Sequence, residues 1–343
     1  MKNSFIVQQS FPVPRPTTNP YLVMLAQSID SIAGVSVRNF SWRGALFGRY
    51  DVFHVHWPEI LVSGHSPLKA LARQGLTALL LLRLRMTRTP IVRTLHNLEL
   101  PSGISRRERA LLRQFERQTT LWIRLNPETP VRDDPEYALI PHGHYRDWFE
   151  HYPVAEPEPG RIAYFGLIRR YKGVDALIDA FRALPGDVTL QVSGRPSTPE
   201  LADDLRRRAA GDERIGLTLQ FLDDAELVQT VSRASLVVLP YTEMHNSGGA
   251  LTALSLNRPV LLPANPVNQR LAAEVGFGWV HQYTGELTAT VLAETLRQVE
   301  NHRPVEPPRL GARDWRDAGL RHYSAYLAAS QAVTRRQLEH AGG

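Results

Sequence analysis

Phe165-Gly166-Leu167-Ile168-Arg169-Arg170-Tyr171-Lys172-Gly173-Val174-Asp175 is the stretch on which the fold turns. A β-rich run over 161–165 stops at Gly166, a loop carries three cations, and an apolar run with helical period occupies 174–184. Strand, short loop and helix make the opening half of a βαβ unit, and recurrence of that unit builds a parallel sheet covered by helices. It recurs downstream: strands are predicted at 188–192, 217–221, 236–239, 260–262 and 279–282, with helices at 199–210, 225–233, 248–256, 268–275 and 287–299 between and after them. Upstream, strands at 4–8, 35–40, 52–57, 91–96, 121–125 and 138–140 alternate with helices at 20–32, 67–85 and 105–118.

The cluster Pro153-Val154-Ala155-Glu156-Pro157-Glu158-Pro159-Gly160 breaks this periodicity and reads as an interdomain linker, because prolines stiffen the chain and cannot join a ladder. The expected organisation is a domain over 1–152, the linker 153–160, a second domain over 161–313, and a last helical stretch with its tail over 314–343. The fold class is α/β: two consecutive doubly wound, Rossmann-like domains with a cleft between them, ligands sitting at the carboxyl ends of the strands.

Composition limits the function. The chain has 343 residues, enough for two cores, and no cysteine, which excludes a disulfide scaffold, thiolate metal sites and a cysteine nucleophile. The longest apolar run, near 76–82, is broken by Arg83 and Arg85 and is too short to span a bilayer. Lys2 is followed by no apolar h-region, so no signal peptide and a cytoplasmic location are expected. The net charge of +6 is one-sided, +7 over 1–150 and −1 over 151–343, which points to an anionic partner for the first half.

Two loops look built for phosphate. Arg169, Arg170 and Lys172 on a short loop suit a diphosphate, which needs neutralisation and several donors. In Leu239-Pro240-Tyr241-Thr242-Glu243-Met244-His245-Asn246-Ser247-Gly248-Gly249, a strand runs into small residues that open a helix near Gly248. Asn246 or Ser247 can cap that helix, and Gly248 and Gly249 leave its first amides open to an anion. Both loops leave carboxyl ends of strands in one domain.

The order Gly166, Arg169, Lys172-Gly173, then Pro240-Tyr241, Ser247-Gly248-Gly249 and Arg258-Pro259-Val260 resembles the group 1 superfamily of nucleotide-sugar-dependent glycosyltransferases with the GT-B fold. His54-Val55-His56-Trp57-Pro58-Glu59, Thr94-Leu95-His96-Asn97 and Pro141-His142-Gly143-His144-Tyr145 extend the likeness over nearly the whole chain. Within the superfamily it is most similar to bacterial GDP-mannose:glycolipid 4-β-D-mannosyltransferases of exopolysaccharide assembly. The resemblance implies transfer of a sugar, mannose from GDP-mannose by best fit, onto a polyprenyl-diphosphate-linked or other glycolipid acceptor. It also implies a last helix crossing back to the first domain. One departure stands out: positions that carry two glutamates in retaining group 1 enzymes hold Met244 and Thr252, with Glu243 one residue off. That favours an inverting enzyme.

The implied roles follow. Arg169, Arg170, Lys172, Asn246, Ser247, Gly248 and Gly249 would bind the donor diphosphate, and Gly166, Gly194, Arg195, Tyr241, Glu243 and Thr252 the nucleoside and sugar. Fixed cations and helix-end amides would stabilise the departing charge, so no metal cofactor is expected, and no Asp-x-Asp motif is present. His54 and His56 share one strand face but lack an adequate third ligand for a metal. The acceptor proton requires a base, with candidates Glu59, His96 and Glu99; Glu59 is favoured because His96 matches a histidine that contacts the donor sugar in the superfamily. His56, Trp57, His142 and His144 are placed on the acceptor side.

Residues 67–86 are apolar and cationic, and 105–124 carry six arginines, a composition that suits anionic lipid headgroups. The expected location is peripheral, on the inner leaflet of the cell membrane. Alternatives are a retaining or inverting transferase using UDP-glucose or another nucleotide sugar and, more distantly, a non-catalytic nucleic-acid-binding protein, for which no recognition motif is visible, so no nucleic-acid partner is expected.

Overall fold

The computed structural model describes residues 4–97, 100, 103–130, 136–241 and 246–341. Alternation along β3, Val52–Val55, sets the two faces of the first sheet. Phe53 and Val55 enter an apolar cluster with Leu80, Leu84 and Phe115, whereas His54 reaches Thr94 and Tyr326 on the other face. The first face is closed by α4, Pro67–Met86, and α5, Arg106–Gln118; the second by α1, Pro20–Asp30, and α13, Trp315–Ala341. β1 (Phe5–Gln9), β2 (Val35–Arg38), β4 (Ile91–Leu95), β5 (Thr119–Arg124) and β6 (Glu136–Leu139) complete a parallel sheet in the order β2-β1-β3-β4-β5-β6.

The helices start where side chains can satisfy their orphan amides. Ser66 accepts from Lys69 N ahead of Pro67, and Ser105 and Glu108 form a capping box at α5. Two short helices, α2 (Trp42–Phe47) and α3 (Glu59–Val62), were not expected, because one or two turns carry too little periodicity to read.

The second sheet contains β7 (Arg161–Phe165), β8 (Thr189–Ser193), β9 (Ile215–Thr218), β10 (Leu236–Val238), β11 (Val260–Pro263) and β12 (Val280–Tyr283), parallel throughout, in the order β12-β11-β10-β7-β8-β9. Its helices are α6 (Arg146–Phe149), α7 (Val174–Arg182), α8 (Pro199–Ala209), α9 (Asp224–Ser232), α10 (Gly248–Ser255), α11 (Pro266–Val275) and α12 (Ala289–Asn301). β9 ends at Thr218 rather than at 221, since its partner β8 ends at Ser193 and Asp223 already caps α9.

The chain forms two compact units, 1–143 with 313–343, and 144–312. The division therefore falls at Gly143/His144 and Ala312/Arg313, not over 153–160 or at 313/314. The Pro/Glu segment is no free linker, because the second unit holds its backbone: Ser232 Oγ accepts from Ala155 N at 3.0 Å, and Arg258 Nη2 donates to Ala155 O at 3.1 Å. Residues 144–152 are tied in likewise, Tyr145 N donating to Ser255 Oγ and Trp148 Nε1 to Asp224 Oδ2. α13 belongs to the first unit, where Ser28 Oγ on α1 donates to Trp315 O at 2.7 Å.

The strand order reverses between β1 and β3 in one sheet and between β7 and β10 in the other. In open α/β sheets such points leave a crevice at the carboxyl ends of the strands. Among the described residues, no helix is long and apolar enough to cross a membrane.

Candidate functional site

The loops predicted to hold phosphate leave β7 and β10, the two strands that flank the reversal in the second sheet. After Phe165 the backbone turns through Gly166, Ile168 N donates to Arg195 O at 2.9 Å, and Arg170–Lys172 form one 3-10 turn. Gly173 ends that turn at φ +63° and starts α7; a Cβ there would lie 2.4 Å from Pro240 O, so the two loops touch through it. Gly194, at φ +151°, is pressed so closely on Gly166 that an added Cβ would fall 1.8 Å from the Gly166 carbonyl oxygen.

Lys172 crosses to the other loop. Its Nζ lies 4.6 Å from the Tyr241 ring centroid and donates to Tyr241 Oη at 3.4 Å. The half-buried ammonium has its pKa pushed down to about 8, by burial first and by the Arg169 guanidinium second. A cation so placed is poorly compensated, and an arriving anion would restore what burial removes. The same hydroxyl lies 3.4 Å from where a Gly249 Cβ would stand. Ser247 caps α10 by accepting from Ala250 N at 3.0 Å, which leaves the Gly248 and Gly249 amides without intrahelical partners. Lys172, Tyr241 and the start of α10 thus form one wall, with Arg169 beside it.

The other second-unit candidates are placed less uniformly. Arg169, Arg170 and Arg195 are exposed, Asn246 half-buried next to the cap, and Thr252 buried within α10. Glu243 lies outside the described residues. His144 also belongs to this unit, where its Nδ1 accepts from Arg146 N at 3.3 Å.

In the first unit, β1, β3 and β4 bring a second group together at the strand reversal. His54 Nε2 meets Thr94 Oγ1 at 2.9 Å, and its Nδ1 meets the Tyr326 hydroxyl at 2.8 Å. His56 Nδ1 meets His96 Nε2 at 3.1 Å, and His56 Nε2 meets Gln9 Oε1 at 3.2 Å. Trp57 stacks on His96 with centroids 4.0 Å apart and 20° between planes, and Tyr21 meets that ring edge-on at 5.2 Å. His142 packs on Tyr21 at 4.5 Å, and its carbonyl accepts from Arg313 Nη1. Burial first, and the neighbouring histidines next, hold His54 and His56 well below the ordinary imidazole pKa. His96 is held down likewise, by burial and then by His142 and Arg93. Burial takes His142 and His322 down to about 4. These rings are neutral at pH 7. Among the described residues, no group of three His, Asp or Glu could hold a metal ion.

Glu59 opens α3, which packs with α4 and α5, and it feels the Arg93 charge. Arg93 points to Glu116 and Trp122, away from the face that carries His54, His56 and His96. Burial raises the Glu59 pKa, opposed by a backbone hydrogen bond and the Arg93 charge. Glu99 lies outside the described residues. Gln9, Tyr21, His322 and Tyr326 were not expected at this site; only Gln9, at the end of β1 beside the reversal, carried a positional signal.

α4 turns a continuous apolar stripe outward: Leu68, Leu71, Leu79, Leu82 and Met86 are all exposed, Leu68 at 80% and Met86 at 73%. Lys69 and Arg85 flank it, and the exposed Phe47 and Ile60 lie on the adjoining helices α2 and α3.

No protein-family model matches the chain. It is 46% identical over 317 residues, 92% of its length and 90% of the relative's, to the GDP-mannose:glycolipid 4-beta-D-mannosyltransferase of Xanthomonas campestris pv. campestris. Solved structures share the fold at low identity: Anabaena HepE in complex with UDP-glucose (TM-score 0.60, 14% identity, 97% of this chain and 99% of that one) and sucrose-phosphate synthase from Thermosynechococcus elongatus (0.58, 16%, 98% and 100%). WaaG, a glycosyltransferase involved in lipopolysaccharide biosynthesis, matches at a TM-score of 0.56 with 15% identity over 96% of this chain and 98% of that one. The chain belongs to the family of the GDP-mannose:glycolipid 4-beta-D-mannosyltransferases, glycosyltransferases with the GT-B fold.

Proposed function

We propose that the protein transfers mannose from GDP-mannose to a lipid-linked saccharide, with inversion at the anomeric carbon, in the assembly of an exopolysaccharide or other surface glycan. The observation that carries the transferase reading is the convergence of Lys172, with Arg169 beside it, and the open amides of α10 on Tyr241. Donor and acceptor are those in the name of the 46%-identical relative. As the bond from the anomeric carbon to the diphosphate breaks, negative charge grows on the leaving oxygen, and Lys172, Arg169 and the Gly248 and Gly249 amides stabilise it in place. The acceptor hydroxyl attacks the opposite face of the sugar and gives its proton to Glu59, while neutral His96 hydrogen-bonds a sugar hydroxyl. Thr252, standing where retaining members of the superfamily carry a glutamate, supports inversion.

The donor is tested by thermal shift with GDP, UDP, ADP and TDP in the presence of EDTA. GDP is expected to raise the melting temperature, and about 2.7 kcal/mol of stabilisation accompanies a ligand at a hundred times its Kd. Selective stabilisation by UDP would replace mannose with a glucosyl-type donor, and loss of the GDP effect in EDTA would show that a metal takes part.

The acceptor's lipid keeps it at a membrane, and the α4 stripe with its flanking cations supports peripheral attachment of the first unit to the anionic inner leaflet, each cation near the surface contributing about 1 kcal/mol. The protein is expected to sediment with anionic vesicles at low salt, and Leu82→Glu/Met86→Glu to stay in the supernatant. Failure of the unaltered protein to sediment would sink the attachment.

A further inference from the structure

A cavity of about 200 Å³ lies within the second unit, at the amino ends of its strands. It opens where Ser235 leads into β10, Arg258 and Pro259 into β11, and Trp279 into β12. The phosphate loops leave the opposite, carboxyl ends of the same parallel sheet. Pro157 and Pro159 of the Pro/Glu segment, with Pro304, add further walls. Proline rings and an indole are apolar and nearly rigid, so a ligand entering there has few side chains to order. Two guanidiniums share the space. Arg258 is only 6% exposed, and its Nε, Nη1 and Nη2 donate to Ser232 O, Asn257 O and Ala155 O. A guanidinium carries five N–H groups, so one on each terminal nitrogen is left over. Arg303, itself exposed, is near enough to oppose the Arg258 charge. Burial first and Arg303 second hold the Arg258 pKa below the ordinary guanidinium value, with Glu156 opposing them. Glu300 lines the cavity as well, yet among the described residues neither arginine forms an ion pair with it or with Glu156.

We propose that this cavity is a second binding site, for a small organic acid: one apolar ring bearing a carboxylate. Size selects the ring, since an apolar cavity of about 150 Å³ already takes a benzene. Charge selects the carboxylate, whose two oxygens match the forked N–H groups of a guanidinium. A bare inorganic anion would leave the proline and indole walls unfilled. A neutral ring would leave Arg258 and Arg303 opposing each other without a counter-charge. The site lies apart from the donor wall and does not depend on the transferase reading.

Benzoate titrated into the nitrogen-15-labelled full-length protein tests this, the Trp279 indole N–H being assigned with Trp279→Phe. That resonance is expected to move along a saturable curve with a Kd of about 1 mM or tighter. Arg303→Glu reverses an exposed charge, should leave the fold intact, and is expected to weaken benzoate about five- to tenfold; Arg303→Lys should keep most of the affinity. Benzamide, of the same shape without the charge, is expected to bind at least about tenfold more weakly, and inorganic phosphate to leave the indole resonance in place. Excess GDP should not alter the benzoate curve. Shifts that never saturate, equal affinity for benzamide, or an unchanged Kd in Arg303→Glu would each overturn the proposal. Competition by GDP would put benzoate on the donor wall and overturn it too. Should Trp279→Phe fail to fold, calorimetry of benzoate with the unaltered protein and with Arg303→Glu carries the same test.

Discussion

Lys172→Ala is expected to reduce kcat/KM for the nucleotide-sugar donor by about 10²–10³-fold, the usual cost of removing one fixed group that stabilises charge on a leaving oxygen. The size follows from the setting. The Lys172 ammonium is half-buried against Tyr241, with Arg169 near enough to oppose its charge. Water screens it less than it would a surface lysine, so its attraction to a diphosphate is stronger. Its side chain contacts Tyr241 through a hydrogen bond and the ring face, so the variant should melt within a few degrees of the parent. The pH profile gives a second readout. With a pKa near 8 the side chain is charged below that pH and neutral above it, so donor affinity should fall as pH rises through 8. Lys172→Arg, charged throughout, should shift that fall upward. A Lys172→Ala enzyme turning over at the parental rate would remove the residue from the site, and the convergence argument would lose its central contact.

The first unit is expected to lose stability steeply between about pH 6.5 and pH 4. His54, His56, His96, His142 and His322 are neutral and surrounded by other rings in the folded state. In the unfolded chain a histidine titrates near about 6.5. The folded pKa values are depressed, so the unfolded state binds more protons as the pH falls, and stability falls with it. The contribution is fully present above 6.5 and is lost as the pH falls through the folded values, about 4 for His142 and His322. A depression to about 4 is worth about 3 kcal/mol for each of those two rings, against a typical total stability of about 5–15 kcal/mol for a domain. The ion-paired carboxylates Asp204 and Asp212 titrate below this window, their pKa values being lowered chiefly by hydrogen bonds from Arg208 and Arg214. The urea midpoint, followed by hydrogen exchange of the first unit's strands, should therefore drop well before the second unit responds. His322→Leu, which removes a buried ring whose Nε2 has no hydrogen-bond partner, should blunt the drop. A midpoint unchanged between pH 7 and pH 5 would show that these rings are solvated or already protonated.

Much of the donor wall was legible because its parts are local. Gly166, the cations at 169–172 and Gly173 lie within eight consecutive residues, and a turn that needs φ > 0 at Gly173 announces itself in composition. Ser247 before Gly248-Gly249 is a capping signal of the same short range. The first-unit cluster was half legible. His54 and His56 could be placed on one face by alternation along their strand. Tyr326, 272 positions from its partner His54, has no local signature. The division of the chain misled for a related reason: prolines at 153–159 suggest a free tether, but Ser232 and Arg258 bond the backbone there.

What the amino-acid order by itself determined is the succession of parallel strands and crossover helices, and the two loops that carry phosphate-binding chemistry. Both depend on interactions between residues a few positions apart, where periodicity, capping and glycine dihedrals act. Only the tertiary structure decided which strands became neighbours at each reversal, which face each histidine occupies, and that Gln9 stands behind His56. Those outcomes depend on burial and on hydrogen bonds between groups tens to hundreds of positions apart, and their energies exist only once the sheets have formed.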